Sequence, residues 1–243
     1  MKIYGVSGAI KPNKNTTKQM AEGNISSFSL IQPGAEQVCV DTRRQILTDT
    51  VFMPKVIELK TERLILRQWK KSDFQPFANM SADPAVMEYY PSTLNVAESN
   101  AMASRIKDLL SEHGWGFWAV ETLDTSQFIG FVGLNSPSYD LPVTPCVEIG
   151  WRLNKASWGK GYATEAANEA LKFAFDELDL NEVYSFSSVS NRKSWRVMQR
   201  LGMFDTYKNF EHPIIPEGHA LREHVLYKIT KEHWEKGERV GNE

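Results

Sequence analysis

The residues whose types and spacing most clearly suggest chemistry are two glycines and a lysine between Ser157 and Tyr162. Gly159 and Gly161 carry no side chain, so a ligand can approach the backbone closely there, and Lys160 adds a positive charge. An amphipathic helix is predicted to follow, and the amides of its first turn together with its dipole favour an anion. The segment therefore predicts a site for a phosphate or pyrophosphate. An ordinary glycine-containing turn before a surface helix is the alternative.

Two familiar phosphate-binding motifs do not fit this segment. The Gly-Lys-Gly run is not followed by Ser or Thr, and no glycine precedes it at the spacing of a P-loop. The pair Gly159 and Gly161 continues to Thr164, where the dinucleotide fingerprint of a Rossmann fold needs a third glycine. The phosphate-bearing ligand is therefore expected to be held by a different motif.

The elements that must position this loop are a strand before it and a helix after it. Residues 147–153 read as a strand. The following segment repeats apolar residues at helical spacing, and its predicted packing face consists of Ala163, Ala166, Ala167, Ala170, Leu171, Ala174, Phe175 and Leu178. This helix is expected to lie with its small side chains against a sheet and to point its first turn at the loop.

A second candidate for chemistry is the loop over residues 211–219. His212 is expected to titrate near neutral pH and could transfer protons, and Glu211 and His219 are close in sequence. A proline-stiffened loop without a chemical role is the alternative. No ligand spacing is typical of a metal site, so no metal is predicted. Cys146 has no histidine nearby in sequence and is interpreted as a partly buried structural thiol.

Four blocks together resemble a known family. Glu148-Ile149-Gly150-Trp151 and Trp158-Gly159-Lys160-Gly161-Tyr162-Ala163-Thr164-Glu165-Ala166 resemble acetyl-CoA motif A of the GNAT N-acetyltransferases. Arg63-Leu64-Ile65-Leu66-Arg67 and Asn191-x-x-Ser194-x-x-Val197-x-x-x-Leu201-Gly202-Met203 extend the similarity. The nearest branch is the RimJ/RimL-like one, that of ribosomal-protein N-terminal acetyltransferases. The resemblance spans about residues 56–230.

The resemblance implies an α/β (α+β) fold: a mixed, mostly antiparallel central sheet flanked by helices, with a V-shaped split between the central strands for acetyl-CoA. It implies an acetyl-CoA-dependent N-acetyltransferase that moves an acetyl group to a primary amine by direct attack in a ternary complex, without a metal. A protein N-terminal amine is one candidate acceptor. The alternatives are a small-molecule amine acetyltransferase, for an antibiotic, polyamine or amino acid, and a non-catalytic acyl-CoA-binding protein.

The resemblance also implies which residues bind the co-substrate acetyl-CoA. Backbone groups of Ile149, Gly150 and Trp151 correspond to those that pair with the pantetheine arm. The pyrophosphate site corresponds to Trp158, Gly159, Lys160, Gly161, Tyr162, Ala163 and Thr164, and Asn191 contacts the cofactor from the next helix. A helix N-cap is a second role for Asn191, and the two are compatible.

The same comparison implies the catalytic groups. Glu148 corresponds to the general base, with a strand carboxylate paired to Arg or Lys as the alternative. Ser194 corresponds to a serine that protonates the leaving thiolate, with a hydroxyl on the packing face as the alternative. Many GNAT enzymes use a tyrosine seven residues after the asparagine, where this chain has Met198, which cannot donate a proton. The base is therefore expected at Glu148 or, failing that, on the loop of His212.

Composition limits the remaining function classes. The chain has 243 residues, of which 42% are hydrophobic and 24% charged. Its net charge is −2, so no general electrostatic attraction to nucleic acid is expected. No apolar run is long enough to span a membrane, and no signal-peptide core precedes the domain. Two cysteines, Cys39 and Cys146, form no disulfide framework, so a cytoplasmic protein is expected. A monomer and a homodimer remain equally open.

The chain divides into residues 1–53, a polar extension, and residues 54–243, the predicted acetyltransferase domain. The extension lacks apolar periodicity and is interpreted as disordered or loosely attached, with a misassigned start or a functional arm as alternatives. Within the domain, the patterns predict a first strand over 58–68, a short helix over 74–80 capped by Asp73, a second short helix over 84–89, and a helix over 96–113 that ends at Gly114. A hairpin over 117–134, a strand over 181–189, a helix from Asn191, last strands over 204–210 and 222–229 and a short terminal helix complete the expectation. The resemblance places Met87, Tyr89, Tyr90 and Trp115 at the wall of the acceptor cleft, with ordinary packing in the core and at its rim as the alternative.

Overall fold

The structure is a computed structural model that describes residues 54–237, so the predicted extension over 1–53 lies outside the described residues. The strands are β1 (Leu59–Lys60), β2 (Leu64–Arg67), β3 (Phe117–Thr122), β4 (Phe128–Asn135), β5 (Glu148–Leu153), β6 (Glu182–Ser188), β7 (Phe204–Asp205), β8 (Phe210–Glu211) and β9 (Glu223–Thr230). The α-helices are α1 (Phe74–Ala82), α2 (Val96–His113), α3 (Tyr162–Asp176), α4 (Arg192–Arg200) and α5 (Lys231–Glu235).

The nine strands of the described range form one sheet in the order β1-β2-β3-β4-β5-β6-β9-β7, and β8 pairs with β9. Every pairing is antiparallel except that of β5 with β6. The parallel pairing is confined to Glu148 opposite Tyr184, so β5 and β6 diverge beyond that point. The mixed sheet and its V-shaped split confirm the predicted fold.

Helices cover both faces of the sheet. Trp118 of β3 packs edge-on against Phe173 of α3, with ring centroids 5.6 Å apart. On the opposite face, Phe77 of α1 contacts Phe131 of β4 at 6.1 Å. The aromatic rings therefore fix which face of each central strand meets α3 and which meets α1.

The two longest predicted helices, α2 and α3, agree with the structure over most of their length. Helix α2 covers Val96–His113, as expected. The Asn95 side chain accepts a hydrogen bond from the Glu98 amide at its start, and Gly114 ends it at φ +78°. The packing face of α3 is buried from Ala166 to Phe175, but the helix ends at Asp176 and Leu178 lies beyond it.

Three predictions in the N-terminal half are wrong. The single strand expected over 58–68 is two short strands, because a turn joins the Thr61 amide to the Leu64 carbonyl oxygen. The Asp73 side chain does not cap α1, since its carboxylate instead accepts hydrogen bonds from the Arg67 guanidinium and the Lys70 amide. Residues 84–89 form turns rather than a helix.

Candidate active site

A cleft of about 1040 Å³ opens where β5 and β6 diverge. It is bounded by these two strands, the glycine loop, the first turns of α3 and α4, and the loop that follows β8. The predicted site residues that line it are Glu148, Ile149, Gly150, Trp151, Trp158, Gly159, Gly161, Tyr162, Ala163, Thr164, Asn191, Ser194 and His212. Lys160 does not line it and has an exposed side chain. Tyr89 and Tyr90 line it as expected, whereas Met87 and Trp115 do not.

The glycine loop has the backbone conformation that the sequence predicts for an anion site. Gly159 and Gly161 adopt φ +72° and +81°, a region that favours glycine. A Cβ added at Gly159 would meet nothing within 4 Å, so the backbone faces open space. Gly161 directly precedes α3, whose first-turn amides have no partner within the helix. The loop can therefore receive a phosphate group.

Glu165 ties the first turn of α3 to the turn between β1 and β2. Its carboxylate accepts hydrogen bonds from the Thr61 hydroxyl at 2.6 Å and from Arg63 Nε at 2.7 Å. The Arg63 guanidinium also lies 4.7 Å from the ring centroid of Tyr162. Burial acts to raise the pKa of Glu165, but these hydrogen bonds outweigh it and the pKa lies below its usual range. Glu165 therefore positions the loop and stays ionised.

Glu148 places a carboxylate at the point where the sheet splits. Asn135 on the neighbouring β4 donates a hydrogen bond from Nδ2 to Glu148 Oε1 at 2.7 Å. The side chain is half-buried because it faces the cleft, yet the surrounding protein removes most of the water around its carboxylate. This burial raises the pKa of Glu148 to about 7, against the opposing effect of the Asn135 hydrogen bond. Within residues 54–237 no Arg or Lys forms an ion pair with it, so the alternative of a paired strand carboxylate is not what the structure contains.

Asn191 begins α4 as its N-cap, which confirms the structural role weighed for it. Its Oδ1 accepts a hydrogen bond from the Ser194 amide at 3.2 Å, and its Nδ2 donates to the Ser187 hydroxyl at 3.0 Å. These contacts hold the half-buried Ser194 at the cleft. Met198 is fully buried and does not line the cleft.

His212 lines the cleft among aromatic rings. It is 6% exposed, and its ring centroid is 4.8 Å from His224 and 5.1 Å from Tyr139. Burial and the neighbouring His224 lower the pKa of His212 to about 4. The expectation that His212 titrates near neutral pH is therefore wrong, because desolvation disfavours its charged form.

The other candidates for proton or acyl chemistry have structural partners. Glu211 forms an ion pair with Arg222 at 2.7 Å, and His219 Nδ1 accepts a hydrogen bond from the Leu221 amide at 3.1 Å. Burial raises the pKa of Cys146 to about 11, which keeps it a thiol. In the described part of the chain, no group of three or more His, Cys, Asp or Glu side chains could hold a metal ion. No helix there is long and apolar enough to cross a membrane.

Sequence reasoning missed three residues that line the cleft, Arg152, Glu165 and His224, and it missed Asn135, which donates a hydrogen bond to Glu148. Glu165 lies within the motif, and its place in the first turn of a helix is a usual one for an acid. Arg152 was visible as the second charged residue, after Glu148, of a strand whose other residues are uncharged. Asn135 and His224 gave no signal, since their roles follow from strand register across long loops.

Comparison with known proteins is consistent with this geometry. A family model described as an acetyltransferase (GNAT) domain matches residues 63–204. The "Uncharacterized N-acetyltransferase YnaD" of Bacillus subtilis is 28% identical over 179 residues, which cover 73% of this chain and 99% of that protein. YdaF of Bacillus subtilis, a proposed ribosomal N-acetyltransferase, is 35% identical over 88 residues, or 36% of this chain and 47% of that protein.

Among solved structures, a GNAT-family acetyltransferase from Bacillus anthracis superposes with a TM-score of 0.61 at 25% identity, covering 72% of this chain and 99% of its own. The family model spans more than half of the sequence, and the residues it matches include the split strands, the glycine loop and the start of α4. The chain thus belongs to the GNAT family of acetyltransferases, enzymes that use acetyl-CoA.

Proposed function

We propose that this enzyme transfers the acetyl group of acetyl-CoA to the α-amine of a protein N-terminus, with Glu148 as the general base. The observation that carries the proposal is the Glu148 carboxylate at the split of the sheet, with its pKa raised to about 7 by burial. A base is most effective when its pKa lies near the working pH.

The residues of the cleft fit acetyl-CoA as the co-substrate. Beyond Ile149 the backbone of β5 is not paired with β6, so it offers its polar groups to an extended arm of the ligand. The positive-φ glycines and the first turn of α3 offer amides to the pyrophosphate. When bound, acetyl-CoA supplies the thioester that the amine attacks.

The acceptor must lose a proton before its nitrogen can attack the thioester carbon. Glu148 takes this proton, directly or through one water molecule. His212 is the weaker candidate, because its pKa of about 4 makes it a poor proton acceptor at neutral pH. The amine then forms the new C–N bond as the C–S bond breaks, and the nitrogen gives up its second proton to solvent as the amide forms. The Ser194 hydroxyl lies at the cleft to protonate the departing thiolate, and it regains a proton from solvent.

The pKa of Glu148 also favours one class of amine. An α-amino group has a pKa of about 7.7 to 8.0, whereas a lysine ammonium has one of about 10.4. Proton transfer to a base with a pKa of about 7 is therefore uphill by about 1 kcal/mol from an α-amine and by about 4 to 5 kcal/mol from a lysine-like amine. The similarity to YdaF supports the same acceptor class.

The test is thiol release from acetyl-CoA with a panel of acceptors: peptides with a free α-amine and blocked lysines, the same peptides with a blocked α-amine and one free lysine, spermidine, and free amino acids. We expect the α-amine peptides to give the highest kcat/KM. A clear preference for spermidine or a free amino acid would replace the proposal with a small-molecule acetyltransferase. Binding of acetyl-CoA without transfer to any acceptor would indicate an acyl-CoA-binding protein.

A further inference from the structure

Arg152 is a buried cation in the wall of the cleft that lacks a counter-charge. It is 6% exposed, and its Nε atom has no hydrogen-bond partner. Nη1 lies 3.9 Å from the Met102 sulfur, which is at most a weak acceptor. Among residues 54–237, no carboxylate forms an ion pair with it. A buried charge without a partner is costly in free energy, which points to a partner that arrives with a ligand.

The same sheet contains a buried arginine that is fully paired. Arg67 is 4% exposed, and its guanidinium binds Asp73 at 2.7 Å and Glu121 at 2.6 Å. Around Arg152 the chain supplies aromatic faces instead, with Tyr90 at 4.1 Å and Phe131 at 5.4 Å from the guanidinium carbon. Aromatic faces orient a guanidinium and attract it, but they leave its N–H groups available. Arg152 is thus held in place with free hydrogen-bonding capacity toward the cleft.

The position of Arg152 along β5 indicates which ligand it faces. Alternate residues of a strand point to the same face, so Glu148, Gly150 and Arg152 share one face. That face packs against α1 and α2, as the contact of Arg152 with Met102 shows. The glycine loop leads into α3, which covers the opposite face. The anion that meets Arg152 therefore belongs to the acceptor rather than to the phosphates bound at the loop.

Gly150 leaves a gap between the two charged residues. A Cβ at this position would come within 3.3 Å of Phe117, so any side chain here would crowd the floor between Glu148 and Arg152. Four residues of strand separate the Cα atoms of Glu148 and Arg152 by about 13 Å. An extended acceptor peptide advances about 3.3 to 3.6 Å per residue, so about four residue steps cover that distance, and its fourth or fifth side chain lies that far from the reactive amine.

We propose that Arg152 is a specificity-determining residue that binds a carboxylate of the acceptor, so that the preferred substrates are chains with an acidic side chain at their fourth or fifth residue. The guanidinium fork matches a carboxylate with two parallel hydrogen bonds. This inference rests on the proposed function, since it places the acceptor amine at Glu148.

The experiment compares pairs of pentapeptide amides, Ala-Ala-Ala-Glu-Ala with Ala-Ala-Ala-Gln-Ala and Ala-Ala-Ala-Ala-Glu with Ala-Ala-Ala-Ala-Gln. Each pair is assayed with the wild type, Arg152→Gln, Arg152→Lys and the control Lys172→Gln, which removes a positive charge from the exposed face of α3. A hydrogen-bonded charge pair predicts a preference for the acidic peptide of about 10- to 100-fold in kcat/KM for at least one pair. We expect the preference to fall to about one in Arg152→Gln, to be intermediate in Arg152→Lys because lysine lacks the fork, and to be unchanged in the control.

Several outcomes overturn the proposal while leaving the proposed function intact. An equal acidic-to-neutral ratio in the wild type and Arg152→Gln does so. The proposal is also overturned if Arg152→Gln binds acetyl-CoA more weakly in calorimetry while its acidic-to-neutral ratio stays that of the wild type. In that case the anion that Arg152 binds is a phosphate of the cofactor.

If the wild type acetylates no peptide, the proposed function fails, and calorimetry with the acidic peptide decides the inference. Binding that is lost in Arg152→Gln supports it, and equal binding contradicts it. Should Arg152→Gln not fold, Arg152→Lys is judged by the same ratios.

Discussion

Replacing Glu148 by glutamine tests its titration and its catalytic role in one variant. Glutamine has nearly the same shape, and its amide oxygen can still accept the hydrogen bond that Asn135 donates at 2.7 Å. The substitution therefore removes the ionisable group while leaving the packing of the cleft in place. Any effect that depends on pH then reports on the carboxylate itself.

The size of the stability difference between Glu148→Gln and the wild type follows from the raised pKa of Glu148. The folded state holds the proton of Glu148 up to about pH 7, whereas the unfolded chain releases it near 4.5. Between these values the folded state binds more protons, so Glu148 lowers the stability of the wild type as pH rises. The full difference is worth about 3 kcal/mol, at about 1.36 kcal/mol per pKa unit, and this is a ceiling because the side chain keeps some contact with solvent. Glu148→Gln should match the wild type near pH 4.5 and exceed its stability above pH 7.

His212 has the opposite dependence, because its pKa falls to about 4 from an ordinary 6.5. The contribution of His212 to the free energy of unfolding is present above pH 6.5. It is lost as pH falls toward 4, because the unfolded chain then binds a proton that the folded chain does not. The two contributions oppose each other in the wild type. The difference between variant and wild type, measured by denaturant unfolding at several pH values, isolates the part due to Glu148. Glu112→Gln, at an exposed position of α2, is the matched control and should show no such trend.

The same variant reports on catalysis with one α-amine peptide as acceptor. If Glu148 is the base, wild-type kcat/KM rises with pH through about 7, because only the ionised carboxylate accepts a proton. Glu148→Gln should lose that rise and about 10²- to 10⁴-fold in turnover, with little change in acetyl-CoA affinity. Full activity in Glu148→Gln, together with loss of activity in His212→Ala, would refute the assignment. A stability difference that is flat from pH 5 to pH 8 would refute the raised pKa.

Three further predictions concern the loop, the acid and the extension. Gly161→Val should weaken acetyl-CoA binding severely in calorimetry, because φ +81° strains a β-branched residue and the side chain obstructs the backbone; Gly237→Val, at φ +63° outside the cleft, is the strain control and should bind normally. Ser194→Ala should slow turnover less than Glu148→Gln, since water can protonate a thiolate whose conjugate acid has a pKa of about 8.5 to 10; an equal loss in steady-state assays would indicate a larger role. A chain beginning at Met53 should melt at the same temperature and bind acetyl-CoA as the full chain does, and a large drop in melting temperature would show that residues 1–53 pack on the domain.

The sequence was most informative where local chemistry determines structure. The period of α3 and the glycine that ends α2 can each be recognised within a few residues of sequence. The glycine loop is another such case, because whether a residue can adopt the positive φ found at Gly159 and Gly161 depends on that residue itself and not on a distant partner. Positions of this kind could be predicted without knowledge of the rest of the chain.

Two of the wrong predictions arise where a residue outside the local pattern decides the role of a side chain. Asp73 has the sequence of a helix cap, but Arg67 is buried beneath it and requires its carboxylate. His212 has an ordinary pKa in isolation, and only the packing of His224 and the aromatic rings around it makes it a poor base. Neither partner could be read from the residues adjacent in sequence.

The side chains of β5 alternate between the two faces of the sheet, so this six-residue strand both packs into the hydrophobic core and supplies charged groups to the cleft. Ile149 and Leu153 are buried in the main hydrophobic core, which fixes the strand. Glu148 and Arg152 project to the other face, and neither forms an ion pair with any residue in the range 54–237. A slip of one residue in the pairing with β4 would exchange the two sets and place both charges in the core. The register that stabilises the sheet therefore also sets the spacing between the proposed base Glu148 and the proposed anion site Arg152. A preferred acceptor must carry its amine and its carboxylate at that same spacing.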